Sequence, residues 1–258
     1  MLRAGIQISS VKAYLQTAED VRKSFLKFGE MGYTRAQLQW IGKDVPAAVI
    51  AEALKESGME SWGIQDYYEE ILADMDYYLG LCEATGGRYL CVSGIPAVYK
   101  ENGTVTLEGL RRMADDLNHL VEDLSHRGMV ATFHPRWQEY ELVEGKPATA
   151  WLMEMTDPRF QLTLDLNHVV RAGEDPVAWI LNMQGRQDMV HYKDMMDTTK
   201  EKSVLVPAGQ GCLDGKAILD ACRKAGVQTV FAEQESWDKD PFICLKESYD
   251  FLASHGIR

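Results

Sequence analysis

The chain has 258 residues, of which 46% are hydrophobic and 26% charged. That is enough apolar material for one large core, and the mixture excludes a disordered chain, a collagen-like fibre and a coiled coil. Lys and Arg number 27 against 39 Asp and Glu, a formal charge of −12 with no basic run longer than two residues. Nucleic acid, which is held by cations that displace phosphate counterions, is therefore not an expected partner.

Along the chain, a short apolar run, a few turn residues and a stretch of helical spacing recur. Ala4–Ile8 reads as the first strand, with Thr17 placed to cap a helix to about Met31 and Gly32 to close it. Ala36–Ile41 is the second, followed by a helix that Pro46 starts and Gly58 ends. Glu60–Gln65 is the third, and the stretch Tyr67–Thr85 follows it. Tyr89–Val92 is the fourth, and Leu107, Leu110, Ala114, Leu117, Leu120, Val121 and Leu124 then share one helical face before Gly128. Met129–Phe133 is strand five, with Ala148–Met155 helical. Phe160–Leu164 is strand six, with a helix from about Pro176 to Met183. Met189–Tyr192 is strand seven, with a long loop before helical Gly215–Lys224. Thr229–Ala232 is strand eight, and Pro241–Ala253 closes the chain.

Eight such units in this length predict a single (β/α)8 barrel over residues 1–258. A doubly wound sheet would call for a glycine-rich turn after the first strand, where the sequence reads QISSVKAY. The later GQGCLDG does not match GxGxxG and reads as a flexible loop entering a helix. The five cysteines are odd in number and form no CxxC pair, so neither a zinc ribbon nor a disulfide framework is expected. The N-terminus lacks a basic segment followed by an apolar stretch, and nowhere do eighteen apolar residues run together. The expectation is a cytoplasmic protein without a membrane partner. A homo-oligomer is left open.

In such a barrel the catalytic groups sit at the C-terminal ends of strands. Strand five ends with His134, Arg136, Glu139 and Glu141, and strand six with Asp165 and His168. Strand seven ends with His191, Lys193 and Asp194, and strand eight with Glu233 and Glu235. The first four ends offer mainly Gln7, Ser9, Gln39, Gln65 and Ser93, so the chemistry is concentrated in the second half. Asp, His and Glu converging from neighbouring strands suit one divalent cation: manganese first, with cobalt, zinc or magnesium as alternatives. Trp40, Trp62, Trp137 and Trp237 stand near strand ends, where they would either stack on a sugar or pack the barrel.

The stretches LTLDLNHVVRAGEDPVAWI (162–180), VHYKD (190–194), VPAGQGCLDG (206–215) and VFAEQE (230–235) together resemble the sugar phosphate isomerase/epimerase family. That family is built on the xylose-isomerase-like TIM barrel, and apurinic endonuclease IV is a distant relative. The resemblance implies metal ligation by Asp165, His191 and Glu233, with Glu233 also moving a proton. It sets His168 and Lys193 beside the substrate. The family's second glutamate ligand, on strand five, is replaced here by His134. FHPRWQEYE instead resembles a subgroup with a YHNH-like strand end and a glutamate five residues after the first His, here Glu139, while Arg136 stands for its second His. His134 is the first choice for the fourth ligand and for a second base, with Glu139 the alternative ligand. Arg136 and Glu139 are then expected at the substrate.

Such a site removes a proton beside a carbonyl, through an enediolate whose charge the cation offsets. The first expectation is an isomerase or epimerase acting on a small sugar or cyclitol. The alternatives are a lyase, either a dehydratase or an enzyme that cleaves a glycoside from a keto-sugar or cyclitol, and a non-catalytic sugar-binding or partner subunit.

Overall fold

In a computed structural model, which describes residues 2–199 and 202–258, eight parallel strands close into a barrel. They are β1 (Arg3–Gln7), β2 (Arg35–Leu38), β3 (Glu60–Tyr67), β4 (Tyr89–Ser93), β5 (Val130–His134), β6 (Gln161–Asp165), β7 (Met189–Tyr192) and β8 (Thr229–Ala232). Each pairs with its neighbours in chain order, and β8 closes on β1. The helices are α1 (Ala18–Met31), α2 (Ala47–Ser57), α3 (Tyr68–Ala73), α4 (Met75–Thr85), α5 (Leu107–Ser125), α6 (Ala148–Met155), α7 (Leu166–Arg171), α8 (Pro176–Asn182), α9 (Gly215–Ala225) and α10 (Pro241–Ser254). Their buried faces and the outer faces of the strands form one continuous apolar core.

Local signals fix the boundaries. Thr17 caps α1 by accepting from the Asp20 amide, and Gly32 closes it at φ +108°, the left-handed region that favours glycine. The stretch Tyr67–Thr85 is broken at Asp74 (φ −144°, ψ 51°), which divides it into α3 and α4.

Two departures concern the mouth of the barrel. The loop after β7 folds back as a hairpin, Asp194–Thr198 against Ser203–Val206. The GQGCLDG segment is not a free loop, because the buried Asp194 carboxylate ties it down. Oδ2 accepts from the Gly209 and Gly211 amides at 2.9 and 3.1 Å, and Oδ1 from Met195 at 2.9 Å and Leu213 at 3.4 Å. Asp194 is thus an anchor for the β7 loop.

Among the described residues no helix is long and apolar enough to cross a membrane. All five cysteines are unpaired, four of them buried.

Candidate metal centre

Side chains alternate along a strand, so residues two apart stack in successive layers of the barrel interior. Cys91, Thr132 and Thr163 make one such layer, joined by a 2.9 Å contact between the two threonine hydroxyls and by Cys91 Sγ at 3.5 Å from Thr163 Oγ1. Two residues further up the same strands stand Ser93, His134 and Asp165. On β7 and beyond β8, the same step leads from Met189 to His191 and from Phe231 to Glu233. Strand register sets Ser93 beside His134 and Asp165 beside His191. A lower layer of uncharged side chains thus gives way to one of ionisable side chains at the mouth.

Here His134, Asp165, His191 and Glu233 each offer one ligand atom, and the four atoms lie within 4.8 Å of one another. His191 Nδ1 is 2.8 Å from Glu233 Oε2, and His134 Nε2 is 3.7 Å from Asp165 Oδ2. Ligands about 2.1 Å from a tetrahedral centre stand about 3.4 Å apart. All four atoms are buried, and apart from the ion pair of Asp165 Oδ2 with the Lys193 ammonium and the close approach of His191 to Glu233, none completes a hydrogen bond. Buried polar atoms in that condition are costly, and two imidazole nitrogens with two carboxylate oxygens are the donor set of a borderline divalent cation. The residues fit a metal ion.

The neighbours orient the four side chains. Gln37 Oε1 accepts from Gln7 Nε2 at 3.1 Å and from His191 Nε2 at 2.5 Å, so the His191 proton sits on Nε2 and Nδ1 keeps its lone pair. His134 Nδ1 donates to Ser93 Oγ at 3.0 Å, and that hydroxyl donates onward to the His134 carbonyl at 3.3 Å. The His134 lone pair is therefore on Nε2. Asp165 Oδ1 accepts from the His168 amide at 3.0 Å as the cap of α7, which leaves Oδ2 for the cluster. Ser93→Ala is expected to weaken divalent-cation binding by about 10–100-fold, as loss of such partners commonly does. Competition against a chelating dye would measure it, and unchanged affinity would contradict the role given to Ser93.

Lys193, 3% exposed, reaches Asp165 Oδ2, Glu233 Oε1 and Glu235 Oε2, each at 3.0 Å. Burial alone would pull its ammonium down; the three carboxylates hold it well above the usual lysine value. Burial alone would likewise raise Glu233, but Lys193 and His191 outweigh it and hold the carboxyl at about 2. Asp165 is held well below the usual range in the same way, against its burial, by Lys193, His168 and His134. Burial drives His168 down to about 3, against the pull of Asp165. Its ring meets His134 edge-on at 5.6 Å, and its Nδ1 has no partner.

Glu139 lies outside the group of four. It is buried and accepts from the Arg136 amide at 2.7 Å and the Ile95 amide at 3.3 Å, stapling the loops after β4 and β5. A carboxylate so engaged is a loop clamp. The Arg136 guanidinium is 3.6 Å from it and lies against Gly94. Trp62 is at the opposite end of the barrel, stacked on Tyr89 at 5.1 Å with Arg35 over its ring. Trp40 is at the mouth, with a backbone φ of +54° and Lys12 Nζ 5.0 Å from its ring. Sequence reasoning passed over Gln37, because an uncharged residue inside a strand carries no mark of its hydrogen bond to His191.

The inosose dehydratase of Lacticaseibacillus casei is 26% identical over 215 residues, which cover 72% of this chain and 70% of the relative. A sugar phosphate isomerase/epimerase from Parabacteroides distasonis ATCC 8503 shares the fold with a TM-score of 0.79 at 15% identity, over 97% of this chain and 95% of that one. The IOLI protein, solved with a bound zinc atom, superposes with a TM-score of 0.74 at 14% identity, over 98% of this chain and 97% of that one. The family model for the xylose isomerase-like TIM barrel matches residues 26–255, and the chain belongs to that family.

Proposed function

We propose that the protein is a divalent-metal-dependent lyase. It removes the proton beside the carbonyl of a keto-sugar or keto-cyclitol and expels the substituent on the next carbon. The observation that carries this reading is the asymmetry of the four-residue cluster. Epimerisation needs a second base on the far face of the reacting carbon. The β5 position that would supply one is His134, whose Nδ1 proton is held by Ser93 and whose Nε2 faces the other ligand atoms. That leaves Glu233 as the cluster's base. The similarity to the L. casei protein, named as a dehydratase, supports the same reading.

A cation in the cluster would polarise the carbonyl and offset the charge that develops as the proton leaves. Glu233 is ionised at neutral pH and takes the proton. Lys193, 3.0 Å from Glu233 Oε1, gives a proton to the departing oxygen. The two roles are coupled. As the ammonium turns to the leaving group, Glu233 loses the charge that depresses it and becomes the stronger base.

An isomerase or epimerase is the second reading, and His168 favours it. Its neutral imidazole, with Nδ1 buried and without a hydrogen bond, would be a proton acceptor in addition to Glu233. Turnover of a keto-cyclitol in D₂O, followed by mass spectrometry and ultraviolet absorption, separates the two. The lyase gives a conjugated enone lighter by the leaving group. A product that keeps the substituent and is heavier by one deuterium, carried at the carbon beside the carbonyl, would overturn elimination in favour of isomerisation.

A further inference from the structure

Three carboxylates meet on the Lys193 ammonium, and they are of two kinds. Asp165 and Glu233 are buried members of the four-residue cluster. Glu235, two residues beyond Glu233 on the loop after β8, lies outside it, and its side chain is 41% exposed. On Glu233 the ammonium takes Oε1 and leaves Oε2 to the cluster. On Asp165 it takes Oδ2, the oxygen that faces His134 Nε2, because Oδ1 is committed to the His168 amide. One of its three contacts therefore falls on an atom that a cation would need.

The two occupants of that oxygen compete. A metal bond of about 2.1 Å and the ammonium contact at 3.0 Å would set two positive centres within about 5 Å of each other in a buried site, where repulsion is poorly screened. Charge balance shows where the ammonium is tolerated. A ligating imidazole is neutral, so three carboxylates against one ammonium leave two negative charges, the complement of one divalent cation. Without Glu235 the same groups leave only one. The other nearby carboxylates are engaged elsewhere, Glu139 with Arg136 and Asp194 with backbone amides.

We propose that Glu235 is a positioning residue for Lys193: the ammonium holds Asp165 Oδ2 in the metal-free protein and shifts onto Glu235 when a divalent cation takes that oxygen. The shift is short, since it gives up one ion pair and keeps the two at Glu233 Oε1 and Glu235 Oε2. Glu235 thereby has two effects. It compensates the displaced charge, and it keeps the ammonium where it can give a proton to the departing oxygen. The second effect rests on the lyase reading, and the first rests only on the cluster.

A double-mutant cycle in manganese affinity, read by competition against a chelating dye, tests the first effect. Glu235→Gln is near-isosteric at an exposed side chain and leaves the buried cluster whole. It should bind manganese about 10–100-fold more weakly, the common loss when a supporting partner is removed. Lys193→Met should bind manganese more tightly than the wild type. In that background Glu235→Gln should cost no more than about fivefold, the scale of an exposed charge. Crystals with manganese should show Lys193 Nζ bonded to Glu235 and parted from Asp165 Oδ2. For the second effect, a keto-cyclitol with a β-hydroxyl is compared with its β-fluoro analogue, because fluoride departs without a proton. At saturating manganese, Glu235→Gln should lower kcat for the hydroxyl substrate only, whereas a merely structural role would lower both.

Equal losses of affinity in the two backgrounds, unchanged affinity in Glu235→Gln, or Nζ still on Asp165 Oδ2 beside bound metal would each overturn the shift. Equal kcat losses on the two substrates would overturn the placing of the proton donor and leave the role in metal binding. No elimination from either substrate by the wild type, with the cycle as expected, would overturn the lyase reading and leave the shift standing.

Discussion

Glu233→Gln is expected to lower kcat by about 10²–10⁴, the usual loss when a positioned base is removed, while the protein still takes up a divalent cation. The carboxylate has two oxygens with different tasks. Oε2 faces His191 Nδ1 within the cluster, and Oε1 is paired with Lys193. An amide keeps an oxygen for the cluster, and His134, Asp165 and His191 are untouched. It cannot accept a proton from carbon. Steady-state kinetics at saturating metal, with a parallel metal titration, separate the two effects. Turnover near that of the wild type would move the base to another residue, with His134 and then His168 to be tested.

Lys193→Met is expected to destabilise the metal-free protein by about 3–5 kcal/mol, the cost of breaking a buried ion pair by removing one partner. At about 2–4 °C per kcal/mol for a chain of this class, Tm falls by about 6–20 °C. The cause is the pair of carboxylates left behind. Asp165 and Glu233 are 0% and 5% exposed, and Lys193 is the cation shared between them. A divalent cation would take over that compensation without the repulsion of the ammonium. Added manganese should therefore raise Tm more in Lys193→Met than in the wild type. Equal metal-free Tm values, or equal gains on adding metal, would contradict this account of Lys193.

Much of the barrel was legible because its signals are local. Thr17, Gly32 and Gly58 mark helix ends wherever the rest of the chain lies, and the period of α5 needs no partner to be seen. The convergence of the four side chains was legible for a different reason. A strand end is a fixed address in a barrel, so Asp165, His191 and Glu233 could be placed at one mouth from strand positions, with His134 preferred and Glu139 as the alternative. What sequence could not decide was direction. Glu139 is five residues from His134, but a short turn after β5 points its carboxylate at the amides of Arg136 and Ile95. Trp62 is in the right strand but near its opposite end. Gln37 and Ser93 act through single hydrogen bonds across strands, and those depend on register. The Asp194 anchor joins residues 15–19 positions apart through backbone amides, which leave no trace in residue type.

The central claim is that four atoms, His134 Nε2, Asp165 Oδ2, His191 Nδ1 and Glu233 Oε2, hold one divalent cation. Crystals grown with manganese, with elemental analysis of the same protein, test it most directly. The account predicts one equivalent of metal per chain, an anomalous peak among those four atoms, and loss of both in His191→Ala. A well-ordered mouth that stays empty in added manganese, with the four side chains turned apart, would contradict it.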